Sequence, residues 1–296
     1  MEIDVSFPLP GASARGSSSS EHRLALTLVS RAELSPLADE ERVLRHLNVF
    51  EGCPYAMLES RAGDILFHYG ARALFHLSAD RAVLRCAPAP GSNYAWQRVL
   101  LDTVLWTVSL LRGFELLHAS AVETSEGVIA FVAMTGGGKT SLAAEFLRRG
   151  SLLFCDDVLA LDDRDGQVLG YPGPPLVNLP HAVRAESLGT ARLIEDFGDE
   201  QWIQIGVSPR EAQPLAAAVL VHRSRGQRSE CSRIDATNLS LLPHAIGFPH
   251  LEYRAKRRFE LFGLLASTTP VLRLTADPSV PPSVLVDLVE EGLARG

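Results

Sequence analysis

The chain has 296 residues, of which 46% are hydrophobic and 21% charged, with a formal net charge of −7. Such a composition supplies core for one large domain or two modest ones, and its acidic balance excludes attraction to nucleic acid or anionic lipid through an overall field. The four cysteines, Cys53, Cys86, Cys155 and Cys231, are too scattered to form a metal-ligand pair and read as reduced thiols.

At the N-terminus, MEIDVSFPLPG shows neither the basic region nor the apolar region of a signal peptide, so a cytoplasmic location is expected. Residues 11–20 (GASARGSSSS) read as a mobile loop or linker. Residues 24–29 (LALTLV) are strand-like, and a charged helical pattern covers residues 38–47. Three short runs follow, DILFHY from Asp64, RALFHLS from Arg72 and RAVLRCA from Arg81, separated by Gly70 and by residues 78–80. They read as an antiparallel meander. Pro88 and the Pro90-Gly91-Ser92 turn close this β-rich N-terminal module, which sets the expected domains at residues 1–95 and 96–296.

From Trp96 the pattern changes. A helix over residues 98–111 ends at Gly113; it is too short to span a bilayer and carries Asp102 within it. FELLHASAVE and GVIAFVAM read as consecutive strands about the Glu126-Gly127 turn. A glycine-rich stretch and a helix over residues 140–149 lead to the buried strand SLLFC, which ends in Asp156-Asp157. Further strands are expected over residues 199–206, with Trp202 in the core, and over residues 215–222 and 271–274. RAKRR (254–258) reads as the solvated face of an amphipathic helix whose apolar side holds Tyr253, Phe259, Leu261, Phe262 and Leu265. Ser283 is expected to cap a final helix with Val284, Leu285, Leu288, Val289 and Leu293 on its apolar face. His181, His222, His244 and His250 have no ligand spacing. Strands alternating with helices give an α/β core after residue 95.

The stretch Ala133-Met134-Thr135-Gly136-Gly137-Gly138-Lys139-Thr140-Ser141 is the P-loop pattern with alanine in place of its first glycine. Glycines permit positive φ and close approach, so the amides of residues 134–140 can face phosphate oxygens at the positive end of the following helix. Lys139 supplies a full charge for the β- and γ-phosphates, and the Thr140 hydroxyl suits Mg2+. The strand ending in Asp156-Asp157 is expected beside the P-loop strand and parallel to it, which would bring both carboxylates to the ligand edge of the sheet. One would help to hold metal or its waters and the other would accept a proton from an incoming hydroxyl; adjacent strand residues point to opposite faces unless the chain turns there. A strand-end turn or helix cap is the alternative for such a pair. His118, one strand earlier, reads on its own as a core histidine.

LLHASAVE, GVIAFVAMTGGGKTSLAAEFLRRG and SLLFCDDVLAL together resemble the HPr kinase/phosphorylase family, and above all its shorter relatives. The resemblance rests on Leu117-His118-Ala119, the P-loop, Arg149-Gly150 and Asp156-Asp157-Val158, and it extends to YPGPPLVNLP (171–180). It implies a P-loop kinase core of the HPr kinase/phosphoenolpyruvate carboxykinase-like type, ATP with Mg2+, and a serine hydroxyl as acceptor. Carried over by position, Lys139 is the phosphate lysine, Thr140 the metal-binding hydroxyl, Asp157 the proton acceptor with Asp156 beside it, and His118 the catalytic histidine. The family's Glu-Ile-Arg-Gly-Leu-Gly signature has no counterpart here; Asn178 stands in that region without an acid. Its loss argues against phosphorolysis and against HPr as substrate.

The sequence therefore predicts an ATP-dependent kinase for serine in a peptide or protein, such as a natural-product precursor peptide, with no nucleic-acid or membrane partner. In this reading Lys139 and the amides of residues 134–140 hold the triphosphate, Thr140 and Asp156 hold Mg2+, Asp157 takes the proton and His118 orients the acceptor or γ-phosphate. The N-terminal module and the C-terminal part are expected to build the acceptor groove, and the family implies a homo-oligomer. Its rivals are a nucleotide-binding regulatory module, a small-molecule alcohol kinase and a simple NTPase.

Overall fold

The computed structural model describes residues 2–5, 23–38, 41–50, 52–92, 94–181, 188, 191–198, 200–206, 209 and 211–295. The polar stretch 11–20 lies outside the described residues. The chain divides into two units, Met1–Gly113 with Phe248–Glu252, and Phe114–Gly247 with Tyr253–Gly296.

The first unit is built on a seven-stranded sheet in the order β1-β2-β7-β6-β5-β4-β3. Its elements are β1 (Glu2–Val5), β2 (Arg23–Leu28), α1 (Arg31–Ala38), β3 (Arg42–Phe50), β4 (Cys53–Ser60), β5 (Ile65–Tyr69), β6 (Ala73–Leu77) and β7 (Val83–Pro88). The three short runs read from sequence are β5, β6 and β7, paired antiparallel. The segment expected to be helical over residues 38–47 is instead mostly β3. The helix lies earlier, where Glu33 reaches back to accept the Ser30 N–H at 2.8 Å in a capping arrangement. Past Ala38, pairing of β3 with β4 from Arg42↔Ser60 to Phe50↔Cys53 overrides the local helical pattern. Asp64 ties the sheet together by accepting from Arg42 Nη2 at 2.8 Å, from His76 Nε2 at 3.0 Å and from the Ser60 hydroxyl.

A helical rod follows: α2 (Ala95–Val99), a π-helical turn (Leu100–Val104) and α3 (Leu105–Leu111). It ends where Gly113 takes φ +106°. The division between units falls after Gly113 rather than near residue 95 because this rod is tied to the first sheet. The Trp96 ring lies 6.5 Å from that of Phe75, and Arg112 Nη1 donates to the Arg81 carbonyl.

The second unit begins with β8 (Glu115–Thr124), β9 (Gly127–Val132), α4 (Lys139–Arg148), β10 (Leu152–Cys155), β11 (Val158–Arg164), β12 (Gln167–Tyr171) and β13 (Leu176–Pro180). It continues with β14 (Arg192–Asp196), β15 (Glu200–Gln204), β16 (Gln213–Arg223), β17 (Glu230–Arg233), α5 (Asn238–Leu241), β18 (Ala245–Ile246), α6 (Ala255–Thr268), β19 (Val271–Ala276) and α7 (Pro282–Ala294). The result is a mixed α/β unit. Strand β9 alternates: Ile129 and Phe131 pack into one core with Leu142 and Phe146 of α4 and Val286 and Val289 of α7. Val128, Ala130 and Val132 face the opposite core, with Leu261, Phe262 and Leu265 of α6. Strands β8, β9, β16, β12 and β11 pair in succession and close back on β8. The small sheet β13-β15-β14 buries Trp202 on β15.

Two helix readings need correction. Pro281 and Pro282, not Ser283, start α7, and its buried residues are Leu285, Val286, Val289 and Gly292 while Val284 is exposed. The basic run is not a solvated face. Arg254 Nη2 and Arg258 Nε donate to the fully buried Glu115 carboxylate at 2.8 and 3.0 Å, and Arg257 pairs with Asp162 and Asp163. Lys256 of that run is 86% exposed and lies 3.7 Å from Glu260. Among the described residues no helix is long and apolar enough to cross a membrane.

Candidate functional site

The site forms where strand ends meet. Strand β10 does not lie beside β9, as the sequence suggested; β8 stands between them and is antiparallel to both. Strands β9 and β10 still run the same way and end at one edge, and the reversed β8 brings its early residue His118 to that edge. Strand β16 pairs parallel to β9 on its other side and ends there as well.

After Val132 the chain leaves the sheet as the glycine loop. Gly136 and Gly138 take φ +75° and +95°, and α4 starts at Lys139. At Gly137 a Cβ would lie 2.5 Å from the Ala133 Cβ and 2.8 Å from the Met134 carbonyl oxygen, so the tight turn admits only glycine. The Gly137 N–H donates to that carbonyl at 2.9 Å, so this amide is committed within the loop. Met134, Thr135 and Gly136 are exposed along its outer part, and Ser141 follows in the first turn of α4.

Lys139 is buried, and its Nζ lies 3.0 Å from His118 Nε2, within hydrogen-bond distance. Burial lowers the Lys139 pKa, while the charges of Asp157 and then Asp156 oppose the shift.

The two aspartates occupy the junction between β10 and β11. Asp157 has φ +61°, rare for a residue with a Cβ, and the Val158 N–H donates to the Asp156 carbonyl at 2.8 Å across it. This γ-turn breaks the strand alternation that would have sent the side chains to opposite faces. Both reach the site with different partners. Asp156 Oδ1 accepts from the Ser120 hydroxyl at 2.6 Å and the Thr140 hydroxyl at 3.2 Å, and its Oδ2 accepts the Asn178 N–H at 3.1 Å. Burial, and then the Asp157 charge, push the Asp156 carboxyl upward despite these bonds. Asp157 Oδ1 lies 3.8 Å from His118 Nε2, in electrostatic range but too far for a hydrogen bond. Burial opposes its ionisation, but His118, Lys139 and the Asn178 side chain outweigh burial and hold its carboxyl below the usual range.

The structure thus brings Lys139, Thr140, His118, Asp156 and Asp157 together. It adds Ser120, Asn178, His244 and Arg223. Ser120 sits two residues along β8 from His118, on the same face. Asn178 was noted in the sequence only for not being an acid; its backbone N–H donates to Asp156, its side chain helps to hold the Asp157 carboxyl low, and its Oδ1 is buried without a partner. His244 arrives because β18 pairs with β8 (Ala245↔Leu117), extending the side of β8 that β9 leaves after Val132. Burial, then the fields of His118 and Lys139, lower its pKa. Only the spatial pairing of β18 with β8 could have singled it out among the nine histidines.

Among the described residues, no group of three or more His, Cys, Asp and Glu side chains is arranged to hold a metal by itself. The oxygens of Asp156 and Thr140 do fit Mg2+, which binds through one or two carboxylates and takes its remaining ligands from water and substrate phosphates.

No protein-family model matches the chain, and no curated protein matches it. Among solved structures it is similar to the Hpr(Ser) kinase/phosphatase from Coxiella burnetii, at 12% identity over 61% of this chain and 97% of that one, with a TM-score of 0.34.

Proposed function

We propose that this protein is an ATP-dependent kinase that transfers the γ-phosphate to a hydroxyl, with serine of a peptide or protein as the acceptor. The observation that carries the reading is the turn at Asp157. It places one carboxylate on the Thr140 hydroxyl and the other beside the Lys139–His118 pair, next to a glycine loop that opens a helix. Metal binding and proton acceptance need two carboxylates in such different settings. The P-loop pattern and the resemblance to HPr-kinase-like proteins supply the nucleotide, the fold type and the serine acceptor.

In this reading the free amides of the loop and the Lys139 ammonium hold the phosphates. Thr140 and Asp156 hold Mg2+, which when bound neutralises charge on the β- and γ-phosphates. His118, 3.0 Å from the Lys139 ammonium, orients it. Asp157 accepts the proton of the incoming hydroxyl as its oxygen bonds to the γ-phosphorus, and the bond to the bridging oxygen breaks with its electron pair leaving on ADP. Ser120 and Asn178 hold Asp156 in place.

The test is incubation of γ-labelled Mg-ATP with the purified protein and a lysate of its source organism. Labelled peptide or protein is expected with the wild type. Asp157→Asn should keep nucleotide binding and slow transfer by about 10²–10⁴-fold. Undiminished transfer by that variant sinks the assignment of the base; tight binding with no labelled product of any size leaves a regulatory nucleotide binder.

A further inference from the structure

Strand β16 continues three residues beyond its last pairing with β9, Leu220↔Val132, and this overhang of Val221, His222 and Arg223 runs alongside the glycine loop. Arg223 Nε donates to the Gly137 carbonyl at 3.4 Å. A Cβ on Gly138 would lie 2.7 Å from Arg223 Nη2, so the guanidinium covers the residue from which α4 starts. Arg223 is exposed and has no carboxylate partner among the described residues, unlike Arg149, Arg254 and Arg257.

A guanidinium rests at the positive end of a helix, in the same loop as a buried ammonium. Among the described residues no carboxylate pairs with it, whereas Asp157 and Asp156 lie near enough to Lys139 to oppose the fall in its pKa. A polyphosphate entering here meets Lys139 already flanked by two carboxylates and Arg223 flanked by none among the described residues. We infer that Arg223 is a second phosphate-binding cation of this site, holding the polyphosphate of the nucleotide from the β16 flank while Lys139 holds it from within.

This inference rests on the nucleotide reading above, and the experiment separates the two. ATP, ADP and inorganic pyrophosphate are titrated calorimetrically, with Mg2+, into wild type, Arg223→Met, Arg223→Lys and, as a control for surface charge, Arg225→Met. Thermal unfolding confirms that each variant is folded. Arg223→Met should weaken all three ligands by at least about tenfold, the range for a charged hydrogen bond, and should flatten the salt dependence. Arg223→Lys should recover most of the affinity, and Arg225→Met should match wild type. Unchanged affinity in Arg223→Met overturns the inference. So does equal damage in Arg223→Lys, which would mean that the arginine only packs on the loop. A wild type that binds none of the three ligands overturns the nucleotide reading itself.

Discussion

Gly137 shows at the scale of a single residue how little freedom the loop has. An added methyl meets the Ala133 Cβ and the Met134 carbonyl, neither of which is the far end of a flexible side chain. Gly137→Ala should therefore open the turn, cost about 1–3 kcal/mol of stability and abolish nucleotide binding, as read by urea unfolding and calorimetry. Asp64 makes a different residue-scale case. Burial works against its charge, but bonds from Ser60, Arg42 and His76 prevail and bring its pKa from 3.8 down to about 2. A carboxylate depressed in the folded state stabilises above its unfolded pKa and loses that contribution as pH falls through the folded value. Between about pH 4 and pH 2 the protein should lose stability, about 1–2 kcal/mol of it through this group after solvent screening. Asp64→Asn should remove that part of the acid dependence when unfolding midpoints are compared across the window.

Elements place these groups, and here the sequence was partly legible. The glycine loop, its strand and its helix were visible because a buried run, a glycine cluster and a new helix are all local signals. Strand β3 was misread because the evidence for it lies in β4, across a hairpin. The basic run was misread because its counter-charge, Glu115, is far away in the chain and ordinarily solvated by type. That residue now carries two arginines. Glu115→Ala would leave Arg254 and Arg258 without it in a buried setting, and a loss of about 3–5 kcal/mol in chemical denaturation is expected. His244 and Arg223 were not legible as site residues for the same reason, since pairings between distant strands bring them there; Ser120 and Asn178 are marked only by their bonds to Asp156. The two aspartates could be nominated from sequence, but not the positive φ that lets both reach inward.

For the molecule as a whole, the seven-stranded sheet has an outer strand that bears on how copies of the protein behave together. Strand β3 is an edge, and Val43, Leu44, Leu47 and Val49 on it are 53–63% exposed. An apolar edge with unpaired backbone groups is a template for another chain. Leu47→Lys should reduce concentration-dependent light scattering while shifting stability by no more than about 0.5 kcal/mol, the usual effect of a surface change. Unaltered scattering would show that this edge does not drive association.

Strand β8 also dictates a timetable. Its early half carries His118 and is flanked by β11 on one side and by β18 on the other. On a ribosome the glycine loop, Lys139 and both aspartates emerge long before residues 244–246, so the wall of the site next to His118 stays open until most of the chain has been made. A chain that ended before that point would hold Lys139, Thr140 and both aspartates and still lack the strand that flanks β8 beside His118.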